Sequence, residues 1–419
     1  MLQKLILDGV GPAKHLEVEF AERLNLITGD NGLGKSFLLD VAWWALTGGW
    51  PSRDRTAAPR KDAKESRIAY SVWDGSRSAH ENYSFLHASQ IWYSNGGTVA
   101  PGSGGPVIYA QVDGGFAVWD PARNGPRSGF NAQPPVLFDP KQIWTGLTVG
   151  ESYRCNGLYR DWASWQLKKG EAFAQLGRVL RELSPPKEPI KPGPLQRVYV
   201  DDSLDYPTLQ MPYRVTVPVT HASAAIRRIL ALSYLLVWTW QEHLRSSEIL
   251  RLRPADKLVL LVDEVEAHLH PSWQRRILPA LLSVVSQMTM DAATPDVQII
   301  ATTHSPLVCG SIENENPERN QLLDMDLDAK QGVRLEPVPI EKRGASENWL
   351  TSRHFDMKTT LPEKAEAEIL RAADLVDREN ALTKREFDKQ TKALARYLDE
   401  FDPYWVRWRA IGEKRGWVK

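Results

Sequence analysis

The stretch NLITGDNGLGKSFLLDVAWWAL, residues 25–46, joins an apolar run to a glycine-rich octapeptide and then to a second apolar run. Leu24, Leu26 and Ile27 suit a short buried strand. Gly29-Asp30-Asn31-Gly32-Leu33-Gly34-Lys35-Ser36 fits G-x-x-x-x-G-K-[ST]. Phe37–Leu46 reads as an apolar helix that stops at Gly48-Gly49. Strand, glycine loop and helix in this order form a phosphate-binding loop. Glycines let backbone N–H groups turn inward, and the helix start adds its positive dipole end. The expected nucleotide contacts are Asn31, Gly32, Leu33, Gly34, Lys35, Ser36 and Phe37. Lys35 would reach the β- and γ-phosphates, and the Ser36 hydroxyl would ligate Mg²⁺.

The second half of the chain holds two further strands with chemistry at their ends. Residues 258–264, LVLLVDE, are five apolar residues followed by two carboxylates. Such a run is typical of a strand buried on both faces of a parallel sheet, and ligands bind at the carboxyl ends of those strands. Asp263 is therefore expected to hold Mg²⁺, and Glu264 to polarise a water for attack on the γ-phosphate. Residues 297–306, VQIIATTHSP, repeat the design and end near His304, an expected γ-phosphate contact. Between the two, 273–288 reads as a helix with Ile277, Leu278, Leu281, Leu282 and Val285 apolar, completing a right-handed strand–helix–strand crossover.

Composition narrows the class. The 419 residues carry 52 Lys plus Arg against 52 Asp plus Glu, so no bulk positive charge signals nucleic acid. Apolar residues make up 42%, ample for a core. Cys155 and Cys309 have neither metal-ligand spacing nor a disulfide framework, which suits a reducing compartment. No leader precedes the first strand, and no apolar run reaches the roughly 18 residues of a membrane span. A cytoplasmic protein without a membrane partner is expected.

The run LLVDEVEAHLHPSWQ (260–274) with the later ATTHSP (301–306) resembles the ABC-type P-loop ATPases of the SMC and OLD (overcoming lysogenisation defect) group. The likeness covers roughly residues 1–60 and 215–310. It implies an α/β core, a mostly parallel sheet flanked by helices, with an antiparallel β-subdomain and a C-terminal helical module. It also makes Asp263 the Walker B acid, Glu264 the catalytic glutamate and His304 the switch histidine. Val265 stands where many members have proline. These ATPases close as head-to-tail dimers in which the partner's signature motif, a Ser-x-Gly core opening a helix, covers the nucleotide. The candidate here is HASAAIRRILALSYLLVWTW, 221–240, with Ser223 as cap and Ala225 in the glycine position. Arg227 and Arg228 oppose the dipole at that helix start; either one of them meets an anion or both lie at the surface.

Residues 66–120 alternate apolar and polar between turn signals at 95–97, 102–105 and 113–115. IAYSVW, SQIWYS, VIYAQV and FAVWD read as antiparallel strands of the β-subdomain. The glutamine loop is open among Gln111, Gln133 and Gln142. A helical insert is expected over 151–183, with Tyr159, Trp162 and Trp165 on a packed face or, as the alternative, a patch that stacks bases, followed by a proline-rich connector at 183–194. No heptad arm of the SMC type is present. The ATPase domain is thus drawn as 1–340. Beyond it, 341–419 reads as a helical module with Phe387, Leu394, Leu398 and Phe401 in one apolar stripe. A similar extension follows the core in bacterial anti-phage ATPases of Septu-type and retron-linked systems. That likeness implies a homodimer or higher homo-oligomer that binds ATP and Mg²⁺ and controls a separately encoded effector, a nuclease, while Ala225 in the signature points to slow turnover. The alternative is a RecF-like repair ATPase that clamps DNA directly.

Overall fold

The computed structural model describes residues 1–52, 54–73, 78–94, 104–125, 132–287, 296–328, 332–355, 357, 359, 361–377 and 382–418, without the side chains of 285–287. The turn signals at 95–97 and 102–103, and residue 288 of the expected helix, lie outside them. The chain divides into two compact units, Met1–Ser346 and Glu347–Lys419.

The first unit is built on an eight-stranded sheet. Its order is Gly332–Val338, Asn320–Asp328, Leu24–Gly29, Asp296–Thr302, Lys257–Val262, Val107–Ala110, Phe116–Trp119 and Val136–Phe138. The five strands from Asn320–Asp328 to Val107–Ala110 run parallel, and the others pair antiparallel at the two edges. Lys257–Val262 is buried along its whole length, as its unbroken apolar run requires.

A second, antiparallel sheet holds His15–Glu19, Leu2–Asp8, Arg67–Trp73, Ser78–Leu86 and Ile91–Tyr93. The phosphate-loop helix, Lys35–Thr47, shares one core with both sheets: Leu5, Tyr70, Tyr83 and Trp92 from the antiparallel sheet, Tyr109, Val259, Ile300 and Leu323 from the parallel one. That is why the sequence of this helix is apolar on every side, with eleven of its thirteen residues buried. Trp44 stacks on Trp50 at 5.2 Å and meets the rings of Tyr70 and Tyr83 edge-on. Gly48, at φ 76°, ends the helix by donating its N–H to the Trp44 carbonyl.

The antiparallel strands expected over 66–120 divide between the two sheets. Residues 68–73 and 91–93 lie in the antiparallel sheet, while Val107–Ala110 runs parallel to Lys257–Val262 in the main one. All four residues of Val107–Ala110 are buried, the pattern of a central strand rather than a half-exposed one. The insert begins with a short hairpin, Leu147–Val149 with Ser152–Cys155, before the helices Leu158–Lys168 and Glu171–Leu183. Trp162 and Trp165 are buried, and Trp165 packs 5.7 Å from Tyr234 of the long helix Ala224–Leu250, so they form a packed face.

The second unit holds the helices Glu363–Asp377, Lys384–Leu394 and Tyr404–Lys414. A capping box opens the middle helix: Thr383 accepts from the Glu386 N–H, and the Glu386 carboxylate accepts from the Thr383 N–H. Phe387, Leu394 and Leu398 join Ala372, Trp405 and Trp408 in its core. Phe401 does not. The helix ends at Leu394, so helical spacing no longer applies by residue 401, which is 84% exposed. Leu394→Ala should cost about 2–5 kcal/mol through lost burial and a residual cavity. Scanning calorimetry would show the helical unit melting earlier; unchanged melting would remove Leu394 from the core.

Candidate functional site

The expected site residues come together at the carboxyl ends of the parallel strands. Gly29 ends its strand at φ 133°, and a Cβ there would stand 1.9 Å from the Met325 carbonyl oxygen. Only glycine lets the phosphate-loop strand lie this close to its neighbour. Gly34 caps the helix at φ 103°, with Lys35 and Ser36 opening it. Asn31 and Gly32 are exposed, while Leu33, Gly34, Ser36 and Phe37 are partly buried. Lys35 is buried, and its ammonium donates to the Gly29 and Asp30 carbonyls at 2.7 Å each. Burial lowers its pKa, opposed by the negative charges of Glu264, Asp263, Asp30 and Glu266.

Asp263 follows Lys257–Val262 and is 1% exposed. Its Oδ1 accepts from the Thr302 hydroxyl at 2.7 Å, whereas its Oδ2 is buried without a hydrogen-bond partner. A buried carboxylate oxygen left open is costly unless a cation or water meets it. Glu264 adopts φ 46°, a left-handed conformation that costs a non-glycine residue about 1–2 kcal/mol. Its N–H donates to the Thr302 hydroxyl oxygen at 2.8 Å, and its Oε1 lies 3.9 Å from Nε2 of His304. His304 has its pKa pushed down, first by burial and then by Lys35, which favours the neutral imidazole. Asp263, Glu264 and His304 thus sit together.

Several organising residues escaped the sequence reading. Thr302 bonds both Asp263 and the Glu264 backbone. Glu266 accepts from the Thr303 hydroxyl at 2.7 Å and from the His304 N–H, tying the end of one strand to the turn after the other. Gln111 ends Val107–Ala110 beside the Asp263 strand, where the Asp263 N–H donates to the Ala110 carbonyl. Gln142, by contrast, accepts from the Asp139 N–H, a local turn contact. Of the three glutamines left open by sequence, Gln111 is the one at the strand ends. Its side-chain amide donates to the Pro51 carbonyl.

Ser223 caps Ala224–Leu250, and its hydroxyl accepts from the Ile226 N–H at 3.4 Å, turning back onto its own helix. Ser223 and Ala224 are exposed. Both arginines are partly buried. Arg227 lies over the Trp144 ring at 4.7 Å, and Arg228 donates to the carbonyls of Gln111, at 2.7 Å, and Asp263, at 3.3 Å. A cavity of about 660 Å³ opens here, bounded by Asp113, Trp144, Tyr159, Arg227 and His268.

Comparison with known proteins agrees with this geometry. Residues 4–94 match the family "AAA domain", and 159–310 match "AAA domain, putative AbiEii toxin, Type IV TA system". These matches, with a relative named as an ATPase, support an ATPase core. It is 28% identical over 159 residues to the "Retron Ec83 probable ATPase" of Escherichia coli, covering 38% of this chain and 26% of that one. To the "Septu protein PtuA" of Bacillus mycoides it is 32% identical over 112 residues, covering 25% of this chain and 13% of that one. The chain therefore spans about a quarter and an eighth of the lengths of these two relatives. The "Septu protein PtuA" of Bacillus thuringiensis is matched more evenly, 22% identical over 82% of this chain and 80% of the relative.

The ATPase core also buries an acid that the sequence does not single out. Asp40, in the phosphate-loop helix, accepts from the Tyr109 hydroxyl at 3.0 Å. Burial raises its pKa to about 6, against the pull of that hydrogen bond and of Arg55. Below its unfolded pKa of 3.8 both states are protonated. Between there and about 6 the native state holds a proton that the unfolded state has lost, so stability falls as pH rises through this window. Asp40→Asn should therefore stabilise the protein at pH 8, by roughly 3 kcal/mol at most. That advantage should vanish near pH 4. A pH series of denaturant midpoints for both proteins checks this; a constant gap would mean that Asp40 is not the group responsible.

Proposed function

We propose that the chain binds ATP with Mg²⁺, closes as a dimer around it, hydrolyses it slowly and thereby controls a separately encoded effector in bacterial anti-phage defence. The observation that carries the catalytic part is Asp263. One carboxylate oxygen is fixed by Thr302 and the other is buried and open, beside the lysine of a phosphate-binding loop. That open oxygen and the Ser36 hydroxyl would hold Mg²⁺, which when bound withdraws charge from the β- and γ-phosphate oxygens.

The chain's own residues have distinct tasks in this reading. The backbone N–H groups from Asn31 to Phe37 hold the phosphates at the helix start. Lys35 exchanges its two loop carbonyls for β- and γ-phosphate oxygens. Glu264 takes the proton of the attacking water, whose oxygen bonds to the terminal phosphorus as the bond to ADP breaks. His304, neutral near pH 7, donates one hydrogen bond to the phosphoryl group without adding a second positive charge beside Lys35. Ser223, exposed at its helix start, would cover the nucleotide of a second copy. Ala225 in the glycine position limits how closely that helix approaches phosphate, which favours slow turnover.

The defence role rests on the relatives. One is named a retron ATPase and two are Septu proteins. Among the described residues no group of three His, Cys, Asp or Glu side chains could hold a metal as a second active centre. The effector is proposed to be a nuclease on another chain. No helix among the described residues is long and apolar enough to cross a membrane, and a cytoplasmic site of action is part of the proposal.

Two measurements test the proposal. Lys35→Ala should abolish tight ATP binding in calorimetry, because it removes the cation facing the phosphates; unchanged affinity would sink the nucleotide assignment. Glu264→Gln should keep ATP binding and slow hydrolysis by about two orders of magnitude or more. With ATP and Mg²⁺ its solution mass, read by light scattering, should step from monomer to dimer; a mass indifferent to nucleotide would reject ATP-controlled assembly.

A further inference from the structure

The peptide that joins Asp263 to Glu264, where the backbone turns left-handed, is gripped from two sides. On one side its N–H donates to Thr302 Oγ1 at 2.8 Å. On the other, the Asp263 carbonyl accepts from Nη2 of Arg228 at 3.3 Å. The same guanidinium donates through Nη1 to the Gln111 carbonyl at 2.7 Å, so it spans the ends of two neighbouring parallel strands. Its Cζ stands 5.9 Å over the Phe116 ring. A largely buried arginine is ordinarily committed to a carboxylate. This one gives its hydrogen bonds to neutral main-chain oxygens, with Asp263, Asp113 and Glu264 as the surrounding negative charges.

The conformation has a chemical consequence. At φ 46° the Glu264 side chain leaves the backbone in a direction that extended or right-handed backbone would not give, and it is 37% exposed, 3.9 Å from His304. If the peptide between Asp263 and Glu264 turned over, the Asp263 carbonyl would lose Arg228, the Glu264 N–H would lose Thr302, and the carboxylate would swing away. Arg228 reaches this peptide from the first turns of Ala224–Leu250, the helix whose exposed first residues carry Ser223.

We propose that Arg228 is a positioning residue for Glu264: by bridging the Gln111 and Asp263 carbonyls it sets the direction of the catalytic carboxylate and ties it to the start of the Ser223 helix. The inference rests on the reading of Glu264 as the hydrolytic base. It adds a path by which whatever engages the exposed helix start is felt at the hydrolytic carboxylate of the same chain. Arg228 touches neither nucleotide nor water in this account and acts through the backbone alone.

The test uses the full chain with ATP and Mg²⁺. Arg228→Met keeps the apolar stem and removes every donor. Its ATP affinity should stay within about twofold of wild type while kcat falls on the order of tenfold or more, the scale expected when a reacting group is misplaced. In the Glu264→Gln background the same substitution should leave the residual rate unchanged, since no carboxylate remains to be aimed. Wild-type kcat in Arg228→Met overturns the proposal. So does an equal fractional loss in both backgrounds, which would mark a general structural role for the helix. If Arg228→Met does not fold, Arg228→Lys, which keeps the charge but loses the fork, is judged on the same two comparisons. A wild-type chain that binds ATP and never hydrolyses it fails the parent reading in the first assay, before any variant is compared, and this inference falls with it.

Discussion

The rest of the structure depends on the burial of the helix Lys35–Thr47 between two sheets. A helix with one solvated face can slide or tilt; this one is packed on both sides, by Leu5, Tyr70 and Tyr83 from one sheet and Tyr109, Val259 and Ile300 from the other. Its start cannot move without repacking a core at crystal-like density. The phosphate loop is therefore held at a fixed distance from the neighbouring strand ends. The sheets are also tied directly: the Gln298 side chain, buried within the parallel sheet, accepts from the Leu2 N–H at 2.9 Å and donates to the Leu2 carbonyl at 2.8 Å. That one amide completes the hydrogen bonding of the first strand and keeps both layers in register with the helix between them.

With the strand ends fixed, a few hydroxyls and carboxylates divide the work of orienting the site. Thr302 serves Asp263 and Glu264 at once, and Glu266 closes the gap to Thr303 and His304. Each of these bonds joins residues far apart in sequence but adjacent in the sheet, because Lys257–Val262 and Asp296–Thr302 are parallel neighbours. Among the Asp263, Glu266 and Thr302 oxygens, the buried Oδ2 of Asp263 stays open. A buried carboxylate oxygen left bare at these strand ends suits a cation or water that arrives from outside the fold.

The features legible in sequence were those whose physics is local. The phosphate loop declares itself through glycine spacing, the Asp263 strand through an unbroken apolar run, and the capped helix at Ser223 through its cap and long apolar body. Less legible was whatever depended on a neighbour. Val107–Ala110 is followed by the hairpin that leads to Phe116–Trp119, so it looked like part of a β-subdomain; only its burial on both faces, and its pairing with residues 259–262, place it in the main sheet. Phe401 kept the helical spacing of Leu394 and Leu398 past the point where the helix stops. Arg228 stood out in sequence only as a charge against the helix dipole; its partners, two main-chain oxygens 117 and 35 residues away, could not be read there.

The same contrast bears on how nucleotide could be sensed. Ser223 is exposed and bonds only to its own helix among the described contacts, while Arg228, five residues on, is wedged against the strand ends. One short helical segment thus presents an open face at its tip and a rigid attachment a turn and a half later. In the proposed dimer each nucleotide would be clasped by one copy's phosphate loop and the other's helix start, and occupancy of one site would be felt at the catalytic carboxylate of the neighbouring site.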